Sequence, residues 1–188
     1  MSIRHSHCAL YTAGAHMKTL TRSGIYLPLA TMILTAALAV PAAAQTQVPF
    51  KGTFQGTDAV SLPTITQSIT GVGTLVGQFS STTVLTLTAS GGTGSAQWIA
   101  ANGDTIDTTV VGSGVPADMV PCQVVDAEPG DTYNKVTQIH TITGGTGRFA
   151  GVQGSFTLTL YHDVVARDGT HGTCGSYSGT ITPPGAAR

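Results

Sequence analysis

Charge is what this 188-residue chain has least of: Asp, Glu, Lys and Arg make up 9% of it, and the formal net charge is −1. That fraction lies far below the usual quarter and excludes a coiled coil, a charged disordered tail and a nucleic-acid binder, since no basic stripe is present to neutralise phosphates. Aromatics stop at 6%, too few for the two girdles of an outer-membrane barrel. Cysteine is confined to Cys8, Cys122 and Cys174 without a Cys-x-x-Cys spacing, which leaves thiol redox chemistry unsupported. No Gly-x-Ser-x-Gly or His-Glu-x-x-His pattern occurs, and the histidines beyond residue 45 show no His-x-His spacing, so neither a serine nucleophile nor a zinc site is implied there. What the chain does have is 24 Gly without a three-residue period, and 41% hydrophobic residues. The first excludes collagen and the second supports a packed core rather than disorder.

The first quarter reads as an address. A basic stretch, Met17-Lys18-Thr19-Leu20-Thr21-Arg22, precedes an apolar run over 25–40 and then Pro41-Ala42-Ala43-Ala44-Gln45. Basic, apolar and Ala-x-Ala regions in that order form a secretory signal, with cleavage expected after Ala44. The run is short for a spanning helix and no stop-transfer pattern follows, so no stable membrane span is expected after cleavage; an uncleaved anchor helix is the alternative. No Cys stands at the cleavage site to carry a lipid. Residues 1–16, with three His and Cys8, do not belong to such a signal and read as an extension from a mis-assigned start. The expected domains are thus 1–16, 17–44 and a mature chain of 45–188, exported to a periplasmic or extracellular compartment. That mature chain has five basic against nine acidic residues, a net charge of −4.

Two cysteines remain after export, Cys122 and Cys174, and an oxidising compartment allows them one intramolecular pairing. A Cys122–Cys174 disulfide is expected, with free thiols or a redox pair as the alternatives.

Beyond residue 45 helical periodicity is nearly absent. Thr-rich alternating stretches are punctuated by Gly, the pattern of many short strands. Eight strands are expected near 50–57, 65–75, 78–88, 95–101, 104–111, 133–143, 152–165 and 173–182. Gly71 and Gly73 read as bends or bulges, residues 90–94 as a turn, and Asn102-Gly103 as a hairpin turn. Residues 112–132, with Pro116, Pro121, Pro129 and Gly130, read as a long loop carrying Cys122. An all-β, eight-stranded antiparallel β-barrel hides its sheet edges and either fills its interior or holds one small ligand. An immunoglobulin-like sandwich fits less well, since Trp98 precedes both cysteines.

Residues able to contact a ligand are few. Phe156, Leu158, Leu160 and His162 share one strand face, with Tyr161 on the other; His140 shares a face with Val136, Gln138 and Ile142. Trp98, His140, Tyr161 and His162 are the candidate ligand-binding residues, each with a packing role as its alternative; for His162 the choice is a general base or a rim histidine bonded to a neighbour. His171 reads as surface loop. Asp104 and Asp107 fall on opposite strand faces, which disfavours paired acid–base work. Asp126, Glu128 and Asp131 cluster in the long loop, either as a solvated cluster or as weak calcium ligands. No metal site and no cofactor is expected. The Thr-x-Thr pieces at 86–88, 141–143 and 157–159 lack the fixed repeat of an ice-binding face and suit a solvated strand surface.

Residues 141–156 read Thr-Ile-Thr-Gly-Gly-Thr-Gly-Arg-Phe-Ala-Gly-Val-Gln-Gly-Ser-Phe. This segment resembles the hairpin between two long strands in the allene oxide cyclase and dirigent barrel superfamily. Ala-Ala-Asn-Gly-Asp at 100–104 and the Gly71/Gly73 pair are similar to segments of secreted bacterial allene oxide cyclase-like barrels. The resemblance covers about 30 residues, and it implies an allene oxide cyclase-like barrel whose interior encloses a small apolar molecule. Allene oxide cyclases confine an unstable substrate so that it closes one way, and dirigent proteins steer radical coupling. Their catalytic residues lie outside the matching hairpin, so none is carried over. An oligomer is also implied, since the plant relatives form dimers or trimers, although no exposed apolar stripe argues for one here. Within the hairpin, Gly144, Gly145 and Gly147 are expected to allow positive φ in a tight turn, and Gly151 and Gly154 a bulge or close approach. Phe149 is expected to plug one barrel end, with Arg148 reaching a carbonyl or acid there. A phosphate loop would have to open a helix, whereas a strand follows. Three readings stay open: a binder of a small apolar molecule, a cyclase or isomerase acting by confinement, and a filled structural or cell-envelope interaction barrel.

Overall fold

The computed structural model of the protein describes residues 46–183. The leader read over 17–44 and the extension at 1–16 lie outside them. Eight strands follow in order: β1 (Val48–Ser61), β2 (Thr64–Gly73), β3 (Gly77–Thr88), β4 (Gly91–Ala100), β5 (Thr105–Ala117), β6 (Tyr133–Gly145), β7 (Gln153–Asp163) and β8 (His171–Thr182). Each pairs antiparallel with its sequence neighbours, and β8 pairs with β1 to close the barrel. The eight-stranded antiparallel barrel expected from the alternation is present.

Alternation dictates the two faces. Phe50, Phe54 and Asp58 are the buried positions of β1, and Phe156, Leu158 and Leu160 are buried along β7. Thr53, Gln55, Thr70, Thr82 and Thr86 are solvent-exposed between such positions. Apolar inside and polar outside is the reverse of a membrane-spanning barrel. Among the described residues, no helix is long and apolar enough to cross a membrane.

Several strand boundaries and turns differ from expectation, and glycine is the reason in most of those that follow. Residues 91–94 are not a turn. The turn is Ala89-Ser90, and Gly91, Gly92 and Gly94 pair within β4. The strand β5 does not end at 111 but runs to Ala117, paired with β6 throughout. Its pairing with β4 stops at Gly112. Pro116 therefore lies where one strand edge is already free, a position that tolerates a missing N–H. Gly71 and Gly73 are in regular register with β1 and β3, not in bulges. The Asn102-Gly103 signal marks a three-residue loop instead of a two-residue one. Gly103 N–H donates to Ala100 O at 2.8 Å, Ala100 N–H donates to Asp104 O at 2.9 Å, and Gly103 takes φ 86°. That geometry is a type I turn closed by a glycine bulge.

The segment 118–132 packs outside the wall. Cys122 and Cys174 form a disulfide across 52 positions, and Cys174 of β8 and Val124 of the segment are both buried. Arg167 Nη2 donates to both Asp131 oxygens at 2.7 and 2.8 Å, and Arg167 Nη1 donates to Asp163. Glu128 lies 3.7 Å from the same guanidinium. Of the acidic cluster of this loop, Asp131 is paired closely with Arg167, while Asp126 and Glu128 are exposed to solvent.

Candidate functional site

The barrel interior divides into two halves along its axis. In the half nearest the start of β1, inward positions carry large rings. Phe50, Phe79, Trp98, Phe156 and Tyr177 are all buried, and their ring centroids lie within 4.7–6.3 Å of Trp98. Inward glycines on adjoining strands give these rings their space. A Cβ on Gly73 would stand 1.9 Å from the Tyr177 hydroxyl, and one on Gly71 would stand 2.8 Å from Phe79 Cζ. Small residues opposite large ones fill a small barrel.

The Gly-rich hairpin seals this end. Phe149, Val152 and Val76 are buried there. Arg148 Nη2 donates to Val76 O at 3.0 Å, and its Nε lies 3.5 Å from Asp104 Oδ2. Asn102 Nδ2 and the Arg148 backbone N–H also donate to that carboxylate, at 2.7 and 3.2 Å, and hold it below the usual carboxylate range. Gly147 has φ 55°, and a Cβ there would overlap Asp104. The plug expected of Phe149 and the acid and carbonyl expected for Arg148 are in place. Gly144 and Gly145, however, do not take positive φ; they end β6, and only Gly147, Gly151 and Gly154 of the five do.

His140 belongs to this filled half. It is fully buried, stacked on Phe156 at 4.8 Å. Its Nε2 is 3.2 Å from Gln138 Oε1, which can only accept, so the proton resides on Nε2. Nδ1 then accepts from the Thr108 hydroxyl at 3.0 Å. Burial pulls the imidazole down to about 4, so it is neutral at pH 7. Trp98 and His140, expected as ligand contacts, are therefore packed among other side chains.

The other half is open. A cavity of about 300 Å³ lies inside the barrel and reaches the surface beside Gly91, Val115 and Pro116. Its apolar floor is Ile65, Leu85, Val136 and Leu160. Its volume exists because inward positions of β4 and β5 are Gly92, Gly112 and Gly114. The nearest atom to a Cβ at each of these three would be a side-chain atom at 3.1–3.3 Å, in contrast to the overlaps in the filled half.

Polar side chains edge this cavity. Asp58 and Gln67 face each other across β1 and β2, 4% and 2% exposed, and Asp58 Oδ1 and Gln67 Oε1 have no hydrogen-bond partner. His162 Nδ1 is 2.8 Å from Asp58 Oδ2. A carboxylate only accepts, so Nδ1 carries a proton. His171 stacks on His162 at 4.7 Å and donates from Nδ1 to Asp163 O at 2.9 Å. His171 thus opens β8 instead of lying in a surface loop. Tyr161 is on the outer face, opposite to His162, and does not line the cavity. Of the four candidates only His162 reaches the cavity. Asp58 and Gln67 were missed, although each shares the alternation of its apolar neighbours: Asp58 with Phe50 and Phe54, Gln67 with Ile65 and Ile69.

A second depression, about 640 Å³, lies outside the wall beside Cys122 and Gln123, bordered by Thr53, Gln55, Thr70 and Gln78. It is shallow and brings together no titratable group.

No family model and no curated protein matches the chain. Among solved structures, a pterocarpan synthase dirigent protein is similar at 13% identity, with a TM-score of 0.45 over 81% of this chain and 98% of that one.

Proposed function

We propose that the protein binds one small, largely apolar molecule in the glycine-lined half of the barrel. The observation that carries this reading is the 300 Å³ cavity with an apolar floor and a polar edge, the composition that ligand pockets share. The buried, unpartnered oxygens of Asp58 and Gln67 support it further, because such groups are normally satisfied in a native core. Native mass spectrometry of the protein tests it. A co-purifying adduct of a few hundred daltons, lost on denaturation, is the expected result. A bare mass, together with failure of 2-phenylethanol to bind in calorimetry, contradicts it and returns the barrel to a structural role.

The Asp58–His162 pair favours a second reading, a cyclase or isomerase acting on the confined molecule. An imidazole oriented by a carboxylate can accept and return a proton. Turnover of a reactive epoxide, lost in His162→Gln, is its test. We also propose export, which the leader-like segment over 17–44 and the Cys122–Cys174 disulfide support. Detection of a mature amino terminus at Gln45 tests that proposal.

A further inference from the structure

The polar edge of the cavity has an unusual inventory. Asp58 Oδ1 and Gln67 Oε1 are acceptors without donors, and they belong to residues in register on adjacent strands. The other oxygen of that carboxylate, Asp58 Oδ2, lies 2.8 Å from His162 Nδ1. Asp58 is the one acid among the lining residues, and neither Lys nor Arg lines the cavity. A buried carboxylate oxygen left without a partner is costly, and a ligand that brings the missing donor and charge gains from both. On the far side, Gln138 Oε1 is held by His140, which leaves its amide group to the cavity.

Resting on the reading of this cavity as a binding site, we propose that it selects a primary amine in its protonated form. The ammonium group has three N–H donors, enough for both unpartnered oxygens. The apolar body lies on Leu85, Val136 and Leu160, and the glycines at 92, 112 and 114 leave room for it. A neutral alcohol supplies one donor and no charge, and a carboxylate meets Asp58 with like charge.

Calorimetry on the full chain at pH 7 with 2-phenylethylamine, 2-phenylethanol and 3-phenylpropionate tests the proposal. These share a ring and differ in the polar head. The amine is expected to bind at least about tenfold more tightly than the alcohol, as charged hydrogen bonds warrant, and the propionate not to bind. Asp58→Asn removes the amine preference while the alcohol still binds, and Gln67→Met reduces it without touching the charge. Melting curves establish that each variant is folded, and the wild-type series decides the matter alone if Asp58→Asn is not. Equal binding of amine and alcohol, or tighter binding of the propionate, overturns the amine assignment and leaves the cavity as a binding site. Binding of none of the three overturns both.

Discussion

The two halves of this barrel use glycine in opposite ways. In the sealed half, inward glycines at 71, 73 and 179 are pressed by neighbours, so that a Cβ would come within 1.9–2.8 Å of Tyr177, Phe79 or Phe156. In the open half, inward glycines at 92, 112 and 114 border unfilled volume. The lesson is that glycine content says nothing about whether a barrel is hollow; what stands opposite each glycine does. Phe50, Phe79, Trp98, Phe156, Tyr177 and His140 pack together in one half, and the fixed circumference of eight strands leaves the other half a cavity when its inward residues are small.

The largest effects fall in the sealed half. Trp98→Ala is expected to cost about 4 kcal/mol in urea unfolding, since the indole touches the rings of Phe79, Phe156 and Tyr177 and the hole cannot collapse. Leu85→Ala, on the cavity floor, is expected near the lower limit for such changes, about 2 kcal/mol, because part of its surface already faces open volume. Equal costs would erase the distinction between the halves.

A pH dependence follows from His140. Its folded value is pulled down to about 4 by burial, below the ordinary 6.5. The unfolded chain therefore binds a proton that the folded chain refuses between those values. Stability contributed by the neutral imidazole is present above about pH 6.5 and is lost as pH falls toward 4, by about 3 kcal/mol in all. The difference between wild type and His140→Phe, followed by urea unfolding from pH 7.5 to 4, isolates this contribution. A difference that stays constant with pH contradicts the burial.

The glycines themselves separate the two halves as well. Gly179→Ala is expected to lose about 2–3 kcal/mol, since its Cβ meets Ser155 O and Phe156 backbone at 2.3 and 2.5 Å. Gly114→Ala is expected to shift stability by less than about 1 kcal/mol, since its nearest contact is a Val136 methyl at 3.3 Å. Thermal melts of the two side by side sharpen the contrast.

Alternation made the architecture legible. All eight strands and their order follow from Thr-rich periodicity, and the disulfide from two cysteines with one pairing. Phe149 and Arg148 were legible as a plug because a bulky pair follows a glycine turn. The open half was not legible, for one physical reason. Its walls are built from Gly91, Gly92, Gly112, Gly114 and Pro116, residue types that signal turns when read along the chain. Here pairing with β3, β4 and β6 overrides that local preference. Asp58 was lost with the first strand's end, read at 57 and found at Ser61. Trp98 and His140 were drawn into the candidate site because face parity marks what points inward, not whether the space beyond is filled.

Heteronuclear NMR during titration with 2-phenylethanol tests the central claim most directly, because the chain has one Trp and hence one indole N–H resonance. The account predicts the largest amide shifts at Gly92, Gly112, Gly114 and Asp58, with the Trp98 indole unmoved. Shifts concentrated at the Trp98 indole, or at Gln123 and Gln78 on the outer wall, would contradict it.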